Sequence, residues 1–271
     1  MTPEPPAPAP GPSLVHGTGE GGNASPPPPS PVVHVRLPTH SARVTYALLA
    51  LIILTFLAQI AARVFFGFDL IIELGAKENT LIAHGELWRL LTPIFIHASL
   101  LHIAFNVYAL YYLGQQMETF YGPARFTLLF FIAGLSGSVI SLLLNPAPSV
   151  GASGAIFGLI GAEGVLLYRN RRVFGERGRR TLQNLVGLVV LNLFIGLQGG
   201  IDNWAHLGGL LAGLGLGWVI GPVWPFDLNL IVDDFIALED QQPLTSARWA
   251  AIFGILLALA TLTGIAVALR R

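Results

Sequence analysis

Cysteine is absent from this chain of 271 residues, and charged side chains are scarce. The absence of cysteine excludes disulfide bonds, thiolate nucleophiles and cysteine-ligated metal sites, although it does not identify the cellular compartment. Charged residues make up 11% of the chain, against about 25% in soluble domains. With 53% hydrophobic residues and a mean hydropathy of +0.65, the composition predicts a membrane protein.

Lysine is almost absent too: Lys77 is the only one, and arginine supplies the other basic side chains. The formal net charge is zero, so no basic face for nucleic acid is evident and we expect no such partner. No His-Glu-x-x-His motif occurs, and His97 and His102 are not spaced to share one helix face. We therefore expect no metal and no cofactor.

The chain divides by composition into a polar tail and an apolar remainder. Residues 1–42 hold most of the prolines and cannot bury a core, so they are predicted to form a disordered, Pro/Gly-rich cytoplasmic tail. Residues 43–221 are predicted to form a core of six membrane spans. An acidic connector at 222–247 and a seventh transmembrane helix at 248–271 follow. The predicted fold class is an all-α polytopic membrane protein.

The seven predicted spans are apolar segments near the length of about 20 residues that the hydrocarbon core requires. They are 44–66, 100–117, 125–144, 153–168, 182–197, 204–220 and 249–269. The stretch 67–96 is too polar and broken to span, and it is predicted to be a loop lying partly in the membrane interface.

Arginines indicate the orientation of these spans. Six of them lie between spans four and five: Arg169, Arg171, Arg172, Arg177, Arg179 and Arg180. Positive charge favours the cytoplasmic side, so the N-terminus is predicted to be cytoplasmic and the C-terminus external. Arg270 and Arg271 conflict with that assignment. Because arginine replaces lysine and Ala, Gly and Pro are abundant, we expect a bacterial protein of the plasma membrane.

This topology brings polar side chains from three spans to one depth, toward the outer face. They are Ser153, His206, His97, His102 and Asn106. Polar groups at this depth are costly and are functional candidates by default. Each also has a structural interpretation: Gly154 and Gly158 could serve close helix packing, His206 could be an interfacial histidine, and Asn106 could bond between helices. These interpretations explain the common depth poorly.

Five motifs, in their order and spacing, resemble those of the rhomboid intramembrane serine proteases. The motifs are Gly151-x-Ser153-Gly154, Ala205-His206-x-x-Gly209-x-x-x-Gly213, His97-x-x-x-x-His102-x-x-x-Asn106, Trp88-Arg89 and Gly114-x-x-x-Glu118-x-x-x-Gly122. The resemblance covers about residues 44–221. It implies a rhomboid-like core of six transmembrane helices, to which this chain adds one extra C-terminal transmembrane helix.

The resemblance also implies roles for individual residues. Ser153 would be the nucleophile and His206 the general base, with no third acidic member. His102, Asn106 and the Ser153 amide would form the oxyanion hole. Span five, at about Val189 to Phe194, would be the movable side of a lateral gate.

Further residues would support such a site. They are His97, Gly151, Gly154, Phe157, Gly209 and Gly213. Phe157 lies one helical turn beyond Ser153 and could pack against the His206 imidazole, at a position where the family often has tyrosine. The resemblance assigns Trp88 and Arg89 to the fold of the first loop and Glu118 to a structural hydrogen-bond network.

The sequence therefore predicts an intramembrane serine endopeptidase that hydrolyses peptide bonds in or next to the transmembrane segments of other membrane proteins. The alternative is a non-catalytic rhomboid-like protein that binds membrane clients, although such relatives usually lack the serine or the histidine. A proton transporter is a third interpretation, which no pair of interrupted helices in inverted repeat supports. The expected partners are transmembrane substrates and the lipid bilayer, and the oligomeric state is left open.

Overall fold

The computed structural model describes residues 34–36, 40–225, 231–232, 235–237 and 240–270. Most of the predicted tail, residues 1–42, lies outside these ranges, and so do most acidic side chains of the predicted connector. The domain boundaries therefore stay predictions. The described chain is predominantly helical, which confirms the predicted all-α fold class.

Nine α-helices are present in the described part of the chain. They are α1 (Arg43–Phe66), α2 (Leu70–Gly75), α3 (Asn79–Ala83), α4 (Leu100–Ala109), α5 (Gln115–Leu144), α6 (Ser153–Arg169), α7 (Arg171–Gly196), α8 (Asn203–Ile220) and α9 (Ser246–Ala268). Two 3-10 turns, Leu87–Leu90 and Thr92–Phe95, precede α4, and a π-helical turn, Leu110–Gly114, joins α4 to α5. The core consists of α1, the α4–α5 stretch in two arms, α6, α7 and α8, and α9 follows it.

Three helical stretches are long and apolar enough to cross a membrane when length and composition alone are considered. They are Arg43–Phe66, Leu100–Leu144 and Ser246–Ala268, and the second contains two predicted spans. Large apolar side chains are exposed on α1, α7 and α9, as suits surfaces that face lipid. The remaining predicted spans fall on α6, α7 and α8, and the seven-span topology stays a prediction.

The Leu100–Leu144 stretch reverses direction at Gly122. This residue has φ 75° and ψ 161°, a region that favours glycine, and Pro123 follows it without an amide donor. His102 in the first arm and Ser141 in the second both lie at the Ser153 end of the bundle. The two arms therefore run in opposite directions.

Glu118, just before this reversal, caps a different helix. Its buried carboxylate accepts hydrogen bonds from the Val44 amide at 2.9 Å, the Thr45 amide at 2.7 Å and the Thr45 hydroxyl at 2.8 Å. The first amides of a helix have no partner within that helix, so Glu118 satisfies donors that would otherwise be buried and unpaired. The contact joins α1 to α5, in keeping with the structural network that the sequence implied.

The stretch predicted as an interfacial loop, 67–96, contains α2, α3 and the two 3-10 turns. Arg89 is buried at 4% exposure and donates to the carbonyls of Ala76 at 3.0 Å and Glu73 at 2.7 Å. Trp88 donates from Nε1 to the Leu74 carbonyl at 3.1 Å while its ring stays half exposed. The two side chains thus donate hydrogen bonds to carbonyl groups at the end of α2 that have no partner within this short helix.

Helix α6 is the centre of the bundle, with 13 of its 17 residues buried. Glycines let α8 approach it almost backbone to backbone. A Cβ built on Gly209 would lie 1.9 Å from the Gly154 carbonyl oxygen, and one on Gly213 would lie 1.9 Å from that of Gly158. Only glycine fits at these two positions of α8.

The predicted arginine-rich loop between spans four and five is helical instead. Only Asn170 separates α6 from α7: Arg169 is the last residue of α6, and the other five arginines lie on the first turns of α7. Arginine is a good helix former, and Glu176 pairs with Arg179 at 2.8 Å and Arg180 at 3.3 Å. The turn occurs within α7 at Gly175, whose φ of 54° and ψ of −140° are not helical.

Helix α7 is weakly packed. Among its described residues only Gly178 and Gly196 are buried. At its far end the Asn203 amide of α8 donates to the Leu193 carbonyl at 2.9 Å. At its near end Asn170 donates to the carbonyls of Leu166 and Pro222 at 2.9 and 3.1 Å. The Asn170 end of α7 is therefore held by two hydrogen bonds, and the far end by one.

The connector is tied to the core at the end of the bundle opposite Ser153. Arg125 pairs with Asp240 at 2.6 Å and donates to the Gln242 carbonyl at 2.6 Å. Arg169 reaches the Gln242 side chain at 3.3 Å. A small sheet, not predicted from the sequence, pairs β1 (His34–Arg36) parallel to β3 (Phe235–Ala237), and β2 (Ile231–Val232) antiparallel to β3.

Candidate active site

Ser153 is presented at the first position of α6. The segment that precedes it is held in place by a hydrogen bond from the Gly151 amide to the Pro93 carbonyl, at 2.8 Å. As the first helical residue, Ser153 has a backbone amide without an acceptor in its own helix. A hydroxyl and a free amide thus lie together at a helix N-terminus, where negative charge is favoured.

His206 reaches this serine from α8. Its Nε2 lies 2.9 Å from Ser153 Oγ, across 53 residues of sequence. The start of α8 is capped by Asp202, whose side chain accepts from the Ala205 amide at 3.1 Å and whose carbonyl accepts from the His206 amide at 3.1 Å. The structure therefore brings together the two residues that the sequence singled out as a dyad.

Phe157 stacks flat on the imidazole of His206. The ring centroids are 4.2 Å apart and the planes differ by 8°. His206 Nδ1 is buried and has no hydrogen-bond partner among the described residues. The ring is therefore oriented by stacking and by its contact with Ser153, and not by an acidic residue of the kind found in a Ser-His-Asp triad.

Gly151 leaves the space between His102 and the serine open. A Cβ built on Gly151 would lie 2.6 Å from His102 Nε2 and 3.7 Å from Ser153 Oγ. Its φ of 125° is also one that L side chains rarely adopt. A side chain here would collide with the His102 ring, so His102 can lie this close to Ser153 only because residue 151 is glycine.

Gly154 and Asn106 complete the near surroundings. A Cβ on Gly154 would meet the Ala205 carbonyl oxygen at 3.3 Å, so this glycine sets how closely α8 passes the serine. Asn106, one turn along α4 from His102, is buried and donates from Nδ2 to the His102 carbonyl at 2.8 Å. An asparagine amide has two N–H groups, so one remains for another acceptor.

His97 is buried behind His102, with ring centroids 5.0 Å apart and the rings edge to face. Gln59 holds its backbone: the His97 amide donates to Gln59 Oε1 at 3.0 Å, and Gln59 Nε2 donates to the His97 carbonyl at 2.9 Å. Burial, with a smaller contribution from His102, lowers the pKa of His97 to about 4. The His97 imidazole is thus neutral near pH 7, and it packs against the His102 ring without adding a charge there.

Sequence reasoning missed three polar residues next to the site. Lys77, Ser141 and Asp202 form a hydrogen-bonded group, and two of them line a small cavity that also reaches Ser153. The only available signal was that Lys77 is the sole lysine of a chain rich in arginine. Among the described residues no group of three or more histidine or acidic side chains is arranged to hold a metal.

The chain matches one family model and several known proteins. A family model described as Rhomboid domain matches residues 84–223. The Rhomboid protease GluP of Bacillus subtilis is 45% identical over 147 residues, which cover 54% of this chain and 28% of that protein. RHOMBOID-like protein 5 of Arabidopsis thaliana is 41% identical over 151 residues, which cover 55% of this chain and 48% of that protein.

A third relative, Rhomboid-like protease 1 of Toxoplasma gondii, is 36% identical over 166 residues, which cover 58% of this chain and 57% of that protein. The chain spans less than two thirds of the length of each of these relatives. In each case the aligned part is little more than half of this chain.

Proposed function

The chain belongs to the rhomboid family, because the family model covers residues 84–223, more than half of its length, and from this we propose that it is an intramembrane serine endopeptidase. Two of the three relatives described above carry the name protease. The observation on which the proposal depends is the contact of 2.9 Å between His206 Nε2 and Ser153 Oγ.

The proposed reaction proceeds by nucleophilic attack. His206 Nε2 takes the proton of Ser153 Oγ as the oxygen adds to a substrate carbonyl, and the imidazolium then returns this proton to the leaving amine. Water hydrolyses the resulting ester by the same steps in reverse. The stacking of Phe157 on His206 supports this proposal, because it keeps the ring plane fixed through both proton transfers.

The negative charge that develops on the carbonyl oxygen needs hydrogen-bond donors. We assign this role to the Ser153 amide, to His102 and to the second N–H of Asn106. The helix N-terminus at Ser153 adds a favourable dipole. One donor of this kind is typically worth about 100- to 1,000-fold in rate.

The substrates in this proposal are transmembrane proteins. This chain is itself an integral membrane protein, and the proposed dyad lies between helices of its core. The weak packing of α7, where only Gly178 and Gly196 are buried, supports entry of a substrate beside that helix. We further propose a bacterial plasma membrane, a cytoplasmic N-terminus and cleavage toward the outer face.

The test uses purified protein in liposomes with a single-pass substrate whose helix contains Gly or Ala near its outer end. Wild type is expected to produce two fragments, whereas Ser153→Ala and His206→Ala each produce none. A fluorophosphonate probe is expected to label wild type at Ser153. Thr263→Ala is the matched control, because it removes a hydroxyl that bonds only within α9, and it should cleave like wild type.

Cleavage by Ser153→Ala at the wild-type rate would exclude the serine mechanism. If the protein only binds clients, wild type and all three variants would bind the substrate, and none of the four would produce fragments.

A further inference from the structure

Lys77, the only lysine of the chain, is 1% exposed. It lies between α2 and α3, and its Nζ donates to Ser141 Oγ at 3.0 Å, to the Asn145 carbonyl at 2.9 Å and to the Ala147 carbonyl at 2.7 Å. An ammonium group has three N–H donors, and these three acceptors use all of them. Such a site is built for a charged lysine.

Asp202 is the counterion. The Ser141 hydroxyl, which accepts from Lys77, donates to Asp202 Oδ2 in a very short contact. Burial lowers the pKa of Lys77 to about 8, and the Asp202 carboxylate opposes that shift, so the ammonium predominates at pH 7. Burial acts to raise the pKa of Asp202, but hydrogen bonds from Ser141 and the Ala205 amide outweigh it and the pKa is lowered. Both groups are therefore charged.

Lys77 holds the segment of chain that leads to Ser153. The Lys77 side chain holds the carbonyls of Asn145 and Ala147, and its backbone pairs with Ser149 through bonds of 2.9 and 3.1 Å. This segment ends at Ser153, the first residue of α6. Lys77 thus fixes the path of the chain immediately before the proposed nucleophile.

Asp202 holds the start of α8, the helix that carries His206. Asp202 is the N-cap of α8, and its side chain accepts from the Ala205 amide at 3.1 Å. The cap sets where α8 begins and therefore where His206, in its first turn, is placed. Hydrogen bonds from Lys77 through Ser141 to Asp202 connect the two supports. The side chains of Ser149 and Asn145 also bond to Asp202.

We propose that Lys77, Ser141 and Asp202 form a partly buried ionic bridge that positions Ser153 and His206 relative to each other. The inference rests on the proposed function of the dyad. None of the three residues touches the reacting atoms, so they are positioning residues. A displacement of about 1 Å at a reacting pair can cost about 100-fold in rate, so a loose bridge lowers kcat while leaving the substrate contacts in place.

The first test is a cycle of charge-removing variants in liposomes. Lys77→Met and Asp202→Asn are each expected to lower kcat by about 10- to 100-fold, with KM changed by less than about 3-fold. The labelling rate of Ser153 with a fluorophosphonate should fall by a similar factor, because it reports the nucleophile and not the substrate. The double variant should lose less than the product of the single losses, because it leaves no unpaired buried charge.

The second test uses Ser141, where the changes are small enough to keep the fold. Ser141→Ala removes the bridging hydroxyl and should lower kcat and the labelling rate. Ser141→Thr keeps the hydroxyl and should restore most of both, since its extra methyl can enter the cavity that Ser141 lines. Ser136→Ala is the control: it is a buried serine of the same helix outside the bridge.

The results separate this inference from the proposed function. An inactive wild type would contradict the proposed function itself. With an active wild type, the bridge would be excluded by variants at Lys77, Asp202 and Ser141 that keep the wild-type kcat and labelling rate. It would also be excluded if KM alone changed, or if Ser141→Thr lost as much activity as Ser141→Ala, because a general loss of packing would then explain the effects.

Discussion

At the scale of single residues, Asn106 has one donor committed and one free. Its Nδ2 donates to the His102 carbonyl at 2.8 Å, and its Oδ1 is buried without a partner among the described residues. The committed bond fixes the plane of the amide, so the second N–H keeps a constant direction. A donor held in this way needs no reorganisation when charge develops on a substrate carbonyl.

We expect Asn106→Ala to lower kcat by about 10- to 1,000-fold and to change KM much less, because the contact is made mainly in the transition state. Steady-state kinetics on the single-pass substrate measure both constants. Gln115→Ala is the control, because this amide also donates to the carbonyl one turn before it, at 2.6 Å, but its oxygen accepts from Tyr46 of α1 and it takes no part in the candidate site. An increase in KM without a change in kcat would assign Asn106 to substrate packing instead.

The residues of the candidate site were predictable from the sequence to the extent that their chemistry is local. Ser153 and His206 stand in short motifs, and a hydroxyl and an imidazole are the residue types that a nucleophile and its base require. The partners that hold them were not predictable, because Lys77 meets Ser141 across 64 residues and Gln59 meets His97 across 38. A single sequence marks the rarity of the one lysine, but no pattern in it shows which distant residue each side chain meets.

At the scale of elements, the pairing of α6 with α8 depends on glycine. Gly209 and Gly213 each lie directly over a carbonyl oxygen of α6, whereas Gly215, on the same helix, has no atom within 4 Å of a built Cβ. Glycine is otherwise unfavourable in a helix by about 1 kcal/mol relative to alanine. Its use at the contact positions is therefore explained by the distance between the two backbones.

Gly213→Ala should destabilise the protein by about 1–3 kcal/mol, because its methyl group forces the two helices apart. Gly215→Ala should be neutral or slightly stabilising, because it gains helix propensity without a clash. Thermal unfolding in the same detergent compares the two variants directly. Equal midpoints would mean that α6 and α8 do not approach as closely as described.

The positions of the helices could be predicted from hydropathy, but the conformation of the segments that connect them could not. The predicted span 153–168 and α6, Ser153–Arg169, differ by one residue, because its apolar run ends at a charged side chain. The arginine stretch after it was predicted to be a loop and is helical, because positive charge reports the side of the membrane and not the backbone conformation. The sheet of β1, β2 and β3 joins distant segments of three residues or fewer, which periodicity does not detect.

At the scale of the whole molecule, the two ends of α6 define two faces. Ala147 lies before its start, in the segment held by Lys77, and Arg172 lies beyond its end on the first turn of α7. At 1.5 Å per residue, the 17 residues of α6 separate these positions by roughly 25 Å. The faces can therefore be distinguished by labelling from one side of the membrane.

Single cysteines at Ala147→Cys and Arg172→Cys can be compared directly, because the chain has no cysteine of its own. We expect an impermeant maleimide to label position 147 in intact cells and position 172 only after the membrane is opened, because arginine favours the cytoplasmic side. Both residues are exposed. Labelling at 172 alone in intact cells would reverse the proposed orientation and with it the outer location of the site.

The unequal attachment of α7 has a mechanical consequence. We propose that α7 tilts about Gly175, whose dihedral angles are not helical, and that the hydrogen bond from Asn203 to Leu193 holds its other end closed. From Gly175 to Gly196 the helix measures roughly 30 Å at 1.5 Å per residue, so a tilt of about 10° moves its free end by roughly 5 Å. That displacement equals the spacing of one extended peptide strand, about 4.8 Å. In this proposal a slight rotation of α7 opens a gap one strand wide, and the gap is widest at the Asn203 hydrogen bond, which lies on the same helix as His206.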